Sequence, residues 1–123
     1  MNDRTKPDVD VPVEAPTELV CTDLIEGSGT EAVPSSTVEV HYVGVGQMSD
    51  IEFDSSWSRG ATTTFPLNAV IQGWSEGLVG MKEGGRRHLA IPADQAYGNN
   101  PPPGAAIQPG ESLIFVVDLV SVM

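Results

Sequence analysis

Apolar and polar residues alternate with a period of two over several stretches of this chain, the pattern of strands with one or both faces buried. From Glu18 to Ile25, Leu19, Cys21 and Ile25 alternate with Val20, Thr22 and Leu24, Asp23 interrupts them, and Gly27-Ser28-Gly29 ends the run. Thr37 to Val45 sets Val38, Val40 and Tyr42 on one face against Glu39, His41 and Val43 on the other. Ile51 to Ser56 begins a further strand, Arg59-Gly60 marks a turn or bulge, and Thr62 to Leu67 resumes, with Pro66 arguing against a central ladder position. After a turn at Met81 to Gly85, Arg87, Leu89 and Ile91 alternate with Arg86, His88 and Ala90. Ser112 to Val122 is apolar on both faces, which predicts a central strand. One segment has a helical period instead. Val70, Trp74 and Leu78 are spaced i, i+4, i+8 and share one helical face. Gly73 and Gly77 each lower helix propensity by about 1 kcal/mol against Ala, so this helix should be short and packed tightly on a sheet. The pattern predicts an α+β roll of about five strands around one short helix.

Residues 1–16 carry Pro7, Pro12 and Pro16 among acidic side chains and little large apolar surface, and are expected to form a mobile acidic tail before a domain spanning 17–123. Between Pro92 and Pro109 the density of prolines, with Gly98, Asn99 and Asn100, predicts a long ordered loop, a frequent place for binding elements. Pro101-Pro102-Pro103 would stiffen it.

The 123 residues suffice for one core. A net charge of -11, from 17 acidic and 6 basic side chains, repels nucleic acid and anionic membranes and excludes both as partners. Cys21 is the only cysteine, so there is no internal disulfide or metal pair, and it reads as a small core residue. The first residues lack a secretory apolar run and no transmembrane stretch occurs, which places the expected location in the cytoplasm. His41 and His88 are read as solvent-facing, and Gly84-Gly85-Arg86-Arg87 as a turn with a solvated strand edge. No residue set supports hydrolytic, phosphate-loop or metal chemistry, and no cofactor is expected. What stands out is a set of aromatic and branched side chains beside turns, Tyr42, Phe53, Phe65, Val70, Ile71, Trp74, Tyr97 and Phe115, with one carboxylate, Asp54. Such a set can line an apolar pocket.

Six motifs follow one another in a recognisable order: Val40-His41-Tyr42-Val43-Gly44, Phe53-Asp54-Ser55-Ser56, Val70-Ile71-Gln72-Gly73-Trp74, Gly77-Leu78-Val79-Gly80-Met81, Ala96-Tyr97-Gly98 and Leu113-Ile114-Phe115. Over residues 17–123 the chain resembles the FKBP-type peptidyl-prolyl cis/trans isomerases, most of all their short single-domain bacterial members. The resemblance implies a five-stranded antiparallel sheet curved around one short helix, with a proline pocket between them. It implies catalytic roles for Asp54, Tyr97, Phe115, Tyr42 and Trp74, with Trp74 as pocket floor, and substrate-binding roles for Phe53, Phe65, Val70, Ile71, Ile107 and Arg59. Tyr97 and the Ile71 N–H would donate to a bound carbonyl, and Arg59 would pair with Asp54. Implied partners are X-Pro-containing polypeptides and macrolide inhibitors of the FK506/rapamycin class, bound by a monomer. Thr63 stands where many relatives have an aromatic residue, and the loop from Asn99 to Ala106 lacks their bulky His and Ile; both departures bear on macrolide affinity and on preference at the residue before proline. Two functions of different class fit these residues: an isomerase that assists protein folding, and a module that binds proline-containing peptides or macrolides without turnover.

Overall fold

A computed structural model describes residues 4–101, 104 and 106–123. The elements in chain order are β1 (Val20–Ile25), β2 (Thr37–Gly46), β3 (Glu52–Ser55), α1 (Ser56–Arg59), β4 (Thr63–Pro66), α2 (Gln72–Gly77), β5 (Arg86–Ile91) and β6 (Leu113–Val122). All strand pairs are antiparallel, in the order β1-β5-β6-β2-β3, with β4 also on β2. The expectation of five strands is therefore corrected to six. β3 and β4 share one edge of β2, at Val43–Val45 and Thr37–Val40 respectively, and the helical turn α1 splits what would otherwise be one strand. The α1 turn starts where the Ser55 hydroxyl accepts the Ser58 N–H, and stops at Gly60, whose φ of 72° is a left-handed conformation that glycine adopts without a Cβ penalty. β6 lies between β5 and β2, as its two apolar faces predict, and Pro66 ends the β4 ladder on an edge.

The inner face of the sheet carries Val38, Val40, Tyr42, Leu89, Ile91, Leu113, Phe115, Val117 and Leu119, and α2 lies across it. The two glycines of α2 permit that approach: a Cβ on Gly73 would stand 2.5 Å from Ile91 Cγ2, and one on Gly77 would stand 3.0 Å from Leu89 Cδ2. Trp74, Leu78 and Met81 are buried beneath. The helix is shorter than its spacing predicts. Val70 precedes it in extended backbone (φ -116°, ψ 173°), at the end of a 3-10 turn over Leu67–Ala69, and so joins the cavity described below rather than the helical face.

The outer face is apolar as well. Val43 lies opposite Val116, Val45 opposite Ile114, and Ala90 opposite Ile114 on the other side, all of them buried. Residues 4–16 lie against this face. Arg4 reaches Asp118, Gln47 donates to the carbonyls of Pro12 and Val13, and His88 meets the Asp10 carbonyl at 2.8 Å. His41 stacks on Trp57 with ring centroids 4.0 Å apart, so neither histidine is simply solvent-facing. Arg86 and Arg87 are likewise paired and half-buried, Arg86 with Asp118 and Arg87 with Asp23 and the Gly77 carbonyl, where a solvated edge was expected. Cys21 is exposed, a correction with a simple cause: β1 is the outermost strand and every residue on it is exposed. The expectation that Pro101–Pro103 stiffen the long loop falls largely on Pro102 and Pro103, outside the described residues.

Candidate active site

Between α2, β3, β4 and the loop that follows β5, the inner face of the sheet leaves a cavity of 500 Å³. It is lined by Tyr42, Phe53, Asp54, Phe65, Ala69, Val70, Ile71, Trp74, Tyr97 and Phe115. Trp74, near the middle of α2, meets Tyr42, Phe65 and Phe115 edge to face, with centroids 5.2, 5.3 and 5.3 Å away. Phe53 meets Phe115 in the same manner at 5.4 Å and 89°. Such perpendicular contacts put the positive ring edge on the negative ring face, and fix the rings more firmly than area burial alone. Gly44 makes room for the last pair. A Cβ there would stand 2.6 Å from both Phe115 Cε1 and Phe53 Cζ.

The polar groups of the site form one cluster at its rim. The Tyr42 hydroxyl donates to Asp54 Oδ2 at 2.5 Å, Arg59 donates to Asp54 Oδ1, and Arg59 Nη2 donates to the Tyr42 hydroxyl at 3.0 Å and to Thr63 Oγ1 at 3.1 Å. The guanidinium carbon also stands 5.6 Å from the Tyr42 ring centroid. Asp54 and Arg59 are well exposed, so their ion pair adds at most about 1 kcal/mol to stability; its effect is to hold geometry. Both tyrosines stay protonated well beyond neutral pH. Burial pushes the Tyr42 hydroxyl up, with the Asp54 hydrogen bond adding to it, and burial followed by the Asp54 charge does the same for Tyr97. Among the described residues neither the Tyr97 hydroxyl nor the Ile71 N–H has a hydrogen-bond partner within the protein.

Of the residues singled out from the sequence, Tyr42, Phe53, Asp54, Phe65, Val70, Ile71, Trp74, Tyr97 and Phe115 meet in this one cavity, and Arg59 stands behind its rim. Ile107 does not. It is 7% exposed and belongs to the core cluster that also holds Tyr42, Trp74 and Phe115, but it is not among the residues lining the cavity. Ala69 and Gly44 were missed, since a small residue leaves no chemical signal; Thr63 was noticed only for lacking an aromatic ring, not as an anchor for Arg59.

Glu111 was missed too. Only 1% exposed, its carboxylate accepts the N–H groups of Met48 and Ser49 on one oxygen and of Gln108 on the other, joining the turn after β2 to the loop before β6. Burial by itself would raise its pKa; the backbone donors outweigh that and hold it below the ordinary carboxylate value. A depressed folded-state pKa contributes stability that is present above the unfolded value and lost as pH falls through the folded one. Glu111→Ala, which strands three donors, is expected to cost about 3 kcal/mol at neutral pH. Urea unfolding at neutral and acid pH should show the variant's deficit shrinking as the solution is acidified, and a pH-independent deficit would contradict this account.

An aromatic-lined hollow with its charged and hydroxyl groups gathered at the rim defines a protein that takes up a small apolar group of its ligand. The comparisons narrow this class. The family model for FKBP-type peptidyl-prolyl cis-trans isomerase matches residues 28–120. A probable FK506-binding protein of Corynebacterium glutamicum is 52% identical over 119 residues, covering 94% of this chain and 98% of its own. An FK506-binding protein of Streptomyces anulatus is 52% identical over 120 residues, covering 95% and 97%. The crystal structure of FkpA from Escherichia coli superposes with a TM-score of 0.79 at 39% identity, over 93% of this chain and 51% of that one. The chain belongs to the FKBP-type peptidyl-prolyl cis/trans isomerases.

Proposed function

We propose that rotation of the X-Pro bond takes place inside the aromatic cavity without covalent chemistry, and that Asp54, Tyr97, Phe115, Tyr42 and Trp74 are its catalytic residues. The barrier, about 20 kcal/mol, is the loss of amide resonance. The planar amide is more dipolar than the twisted one, so an apolar lining disfavours the ground state relative to the transition state. Tyr42, Phe53, Trp74 and Phe115 supply that lining. The Tyr97 hydroxyl and the Ile71 N–H hold the flanking carbonyl while the rest of the peptide turns. Asp54 is engaged on both oxygens, by Tyr42 and by Arg59, and serves as an electrostatic brace. It is not a general base, since no proton leaves the substrate. Phe53, Phe65, Val70, Ile71, Ile107 and Arg59 make up the substrate-binding set around the bound ring.

The substrates are X-Pro-containing polypeptides, at folding steps that isomerisation slows, and the same cavity accepts macrolides of the FK506/rapamycin class. The protein acts as a cytoplasmic monomer: the lone cysteine suits a reducing compartment, a charge of -11 keeps copies apart, and no helix of the described residues is long and apolar enough to cross a membrane. The division into a tail of residues 1–16 and an isomerase domain of 17–123 is part of this reading.

The observation that carries the proposal is the meeting of the aromatic lining with Tyr97, whose hydroxyl has no partner among the described residues, around one cavity. NMR exchange spectroscopy on a short X-Pro peptide tests it. Cis-to-trans cross-peaks should grow with substoichiometric protein; shifted peaks with unchanged exchange would make the protein a binder only. Tyr97→Phe removes one hydrogen bond to bound peptide, about 1 kcal/mol, and is expected to raise KM about fivefold with kcat little changed.

A further inference from the structure

The outer face of the sheet is built to hold something. Val43, Val45, Ile114, Val116 and Ala90 form an apolar patch separate from the inner core, and Asp118, at its end, is wholly buried. Arg86 grips Asp118 with two bonds, Nε to Oδ1 at 2.7 Å and Nη2 to Oδ2 at 2.9 Å, and Arg4 adds a third at 3.3 Å while donating to the Gly84 carbonyl at 2.6 Å. A patch of this composition at the surface of an acidic, soluble chain would be a contact site left open.

We propose that this face is a peptide-docking surface, separate from the proline cavity on the opposite side of the sheet, and that its occupant is the chain's own N-terminal arm, residues 4–16. Besides the side chains of Arg4 and Lys6, the surface grips main-chain carbonyls of the arm: Arg86 takes Thr5, His88 takes Asp10, and Gln47 takes Pro12 and Val13. Prolines suit the arm, because they keep it extended and remove N–H donors that would otherwise be buried unpaired. Pro7, Asp8 and Val9 lie beside Val43 and Val45; Asp10, Pro12 and Pro16 lie beside His88 and Ala90. Charge fixes the direction. The chain has six basic side chains, two of them on the arm, and each is set on an acid of the body, Arg4 on Asp118 and Lys6 on Glu52. The chemistry recognised is an extended, proline-interrupted segment led by a cation.

The test uses the whole chain labelled with ¹⁵N. Backbone order parameters of residues 4–13 above about 0.6, approaching the ~0.85 of the strands, are expected; values below about 0.6 would overturn the proposal. Sedimentation must give the mass of one chain, since an arm ordered in a dimer would be docked on a second copy instead. Arg4→Glu sets a carboxylate against Asp118. It is expected to drop the order parameters of the arm below that threshold and to raise the fluorescence of an added anilinonaphthalene dye, with the isomerase rate unchanged. Gln47→Ala, at the other end of the face, should loosen residues 10–13 and leave Arg4 in place. If neither variant freed the arm or uncovered dye-binding surface, the contacts would not be what holds it.

Discussion

Phe115→Ala is expected to lower kcat/KM about a hundredfold, equivalent to ~3 kcal/mol of lost transition-state stabilisation. The ring is 4% exposed, forms a wall of the cavity, and stands edge-on to both Phe53 and Trp74. Its removal admits water beside the amide, which solvates the dipolar planar form better than the twisted one and so restores the ground state the lining disfavours. Because Phe115 also belongs to the core, truncation should cost about 3–5 kcal/mol of stability, and the rate must be measured where the variant is shown to be folded. Phe115→Leu separates the two effects by keeping an apolar wall; it should retain most of the activity. A folded Phe115→Ala protein with the full isomerase rate would refute the apolar-lining mechanism.

The second large effect is on the other side of the sheet. Asp118→Ala is expected to destabilise the protein by about 3 kcal/mol, the lower end of the cost of breaking a buried ion pair, because Arg86 and Arg4 are partly exposed and can turn toward water. For a chain of 123 residues this corresponds to a fall in Tm of roughly 10–15 °C. Asp118 faces away from the cavity, so catalysis by the folded fraction should be unaffected. A thermal melt within about 1 °C of wild type would mean that the arginines lose nothing with their partner.

The strands were legible where alternation is regular and long. β2 and β6 could be placed from period alone, and the two apolar faces of β6 identified the centre of the sheet. The position of Trp74 on a short helix followed from its neighbours' spacing and from two glycines that only close packing explains. Shorter features carried no period. Ser56–Arg59 is a single helical turn, too brief for any periodicity, and its presence is what divides one expected strand into two. Cys21 was misplaced because alternation says which residues share a face but not whether anything covers that face. Glu111 was missed because its burial depends on backbone donors from the distant turn after β2 as well as from its own loop, which no local pattern announces. The aromatic set was legible as a set, but pattern alone suits a plain core as well as a pocket, and it was the order of the six motifs that pointed to a cavity; Ala69, which shapes it, left no signal.

The indole floor brings with it a built-in optical reporter. Trp74 is 4% exposed, ringed by aromatic side chains, and its Nε1 has no hydrogen-bond partner among the described residues, so its emission should lie toward the blue and should respond when a guest covers the ring. The other tryptophan, Trp57, is stacked on His41 away from the cavity. Replacing it with phenylalanine would leave one chromophore facing the guest, and occupancy could then be followed in real time without a label.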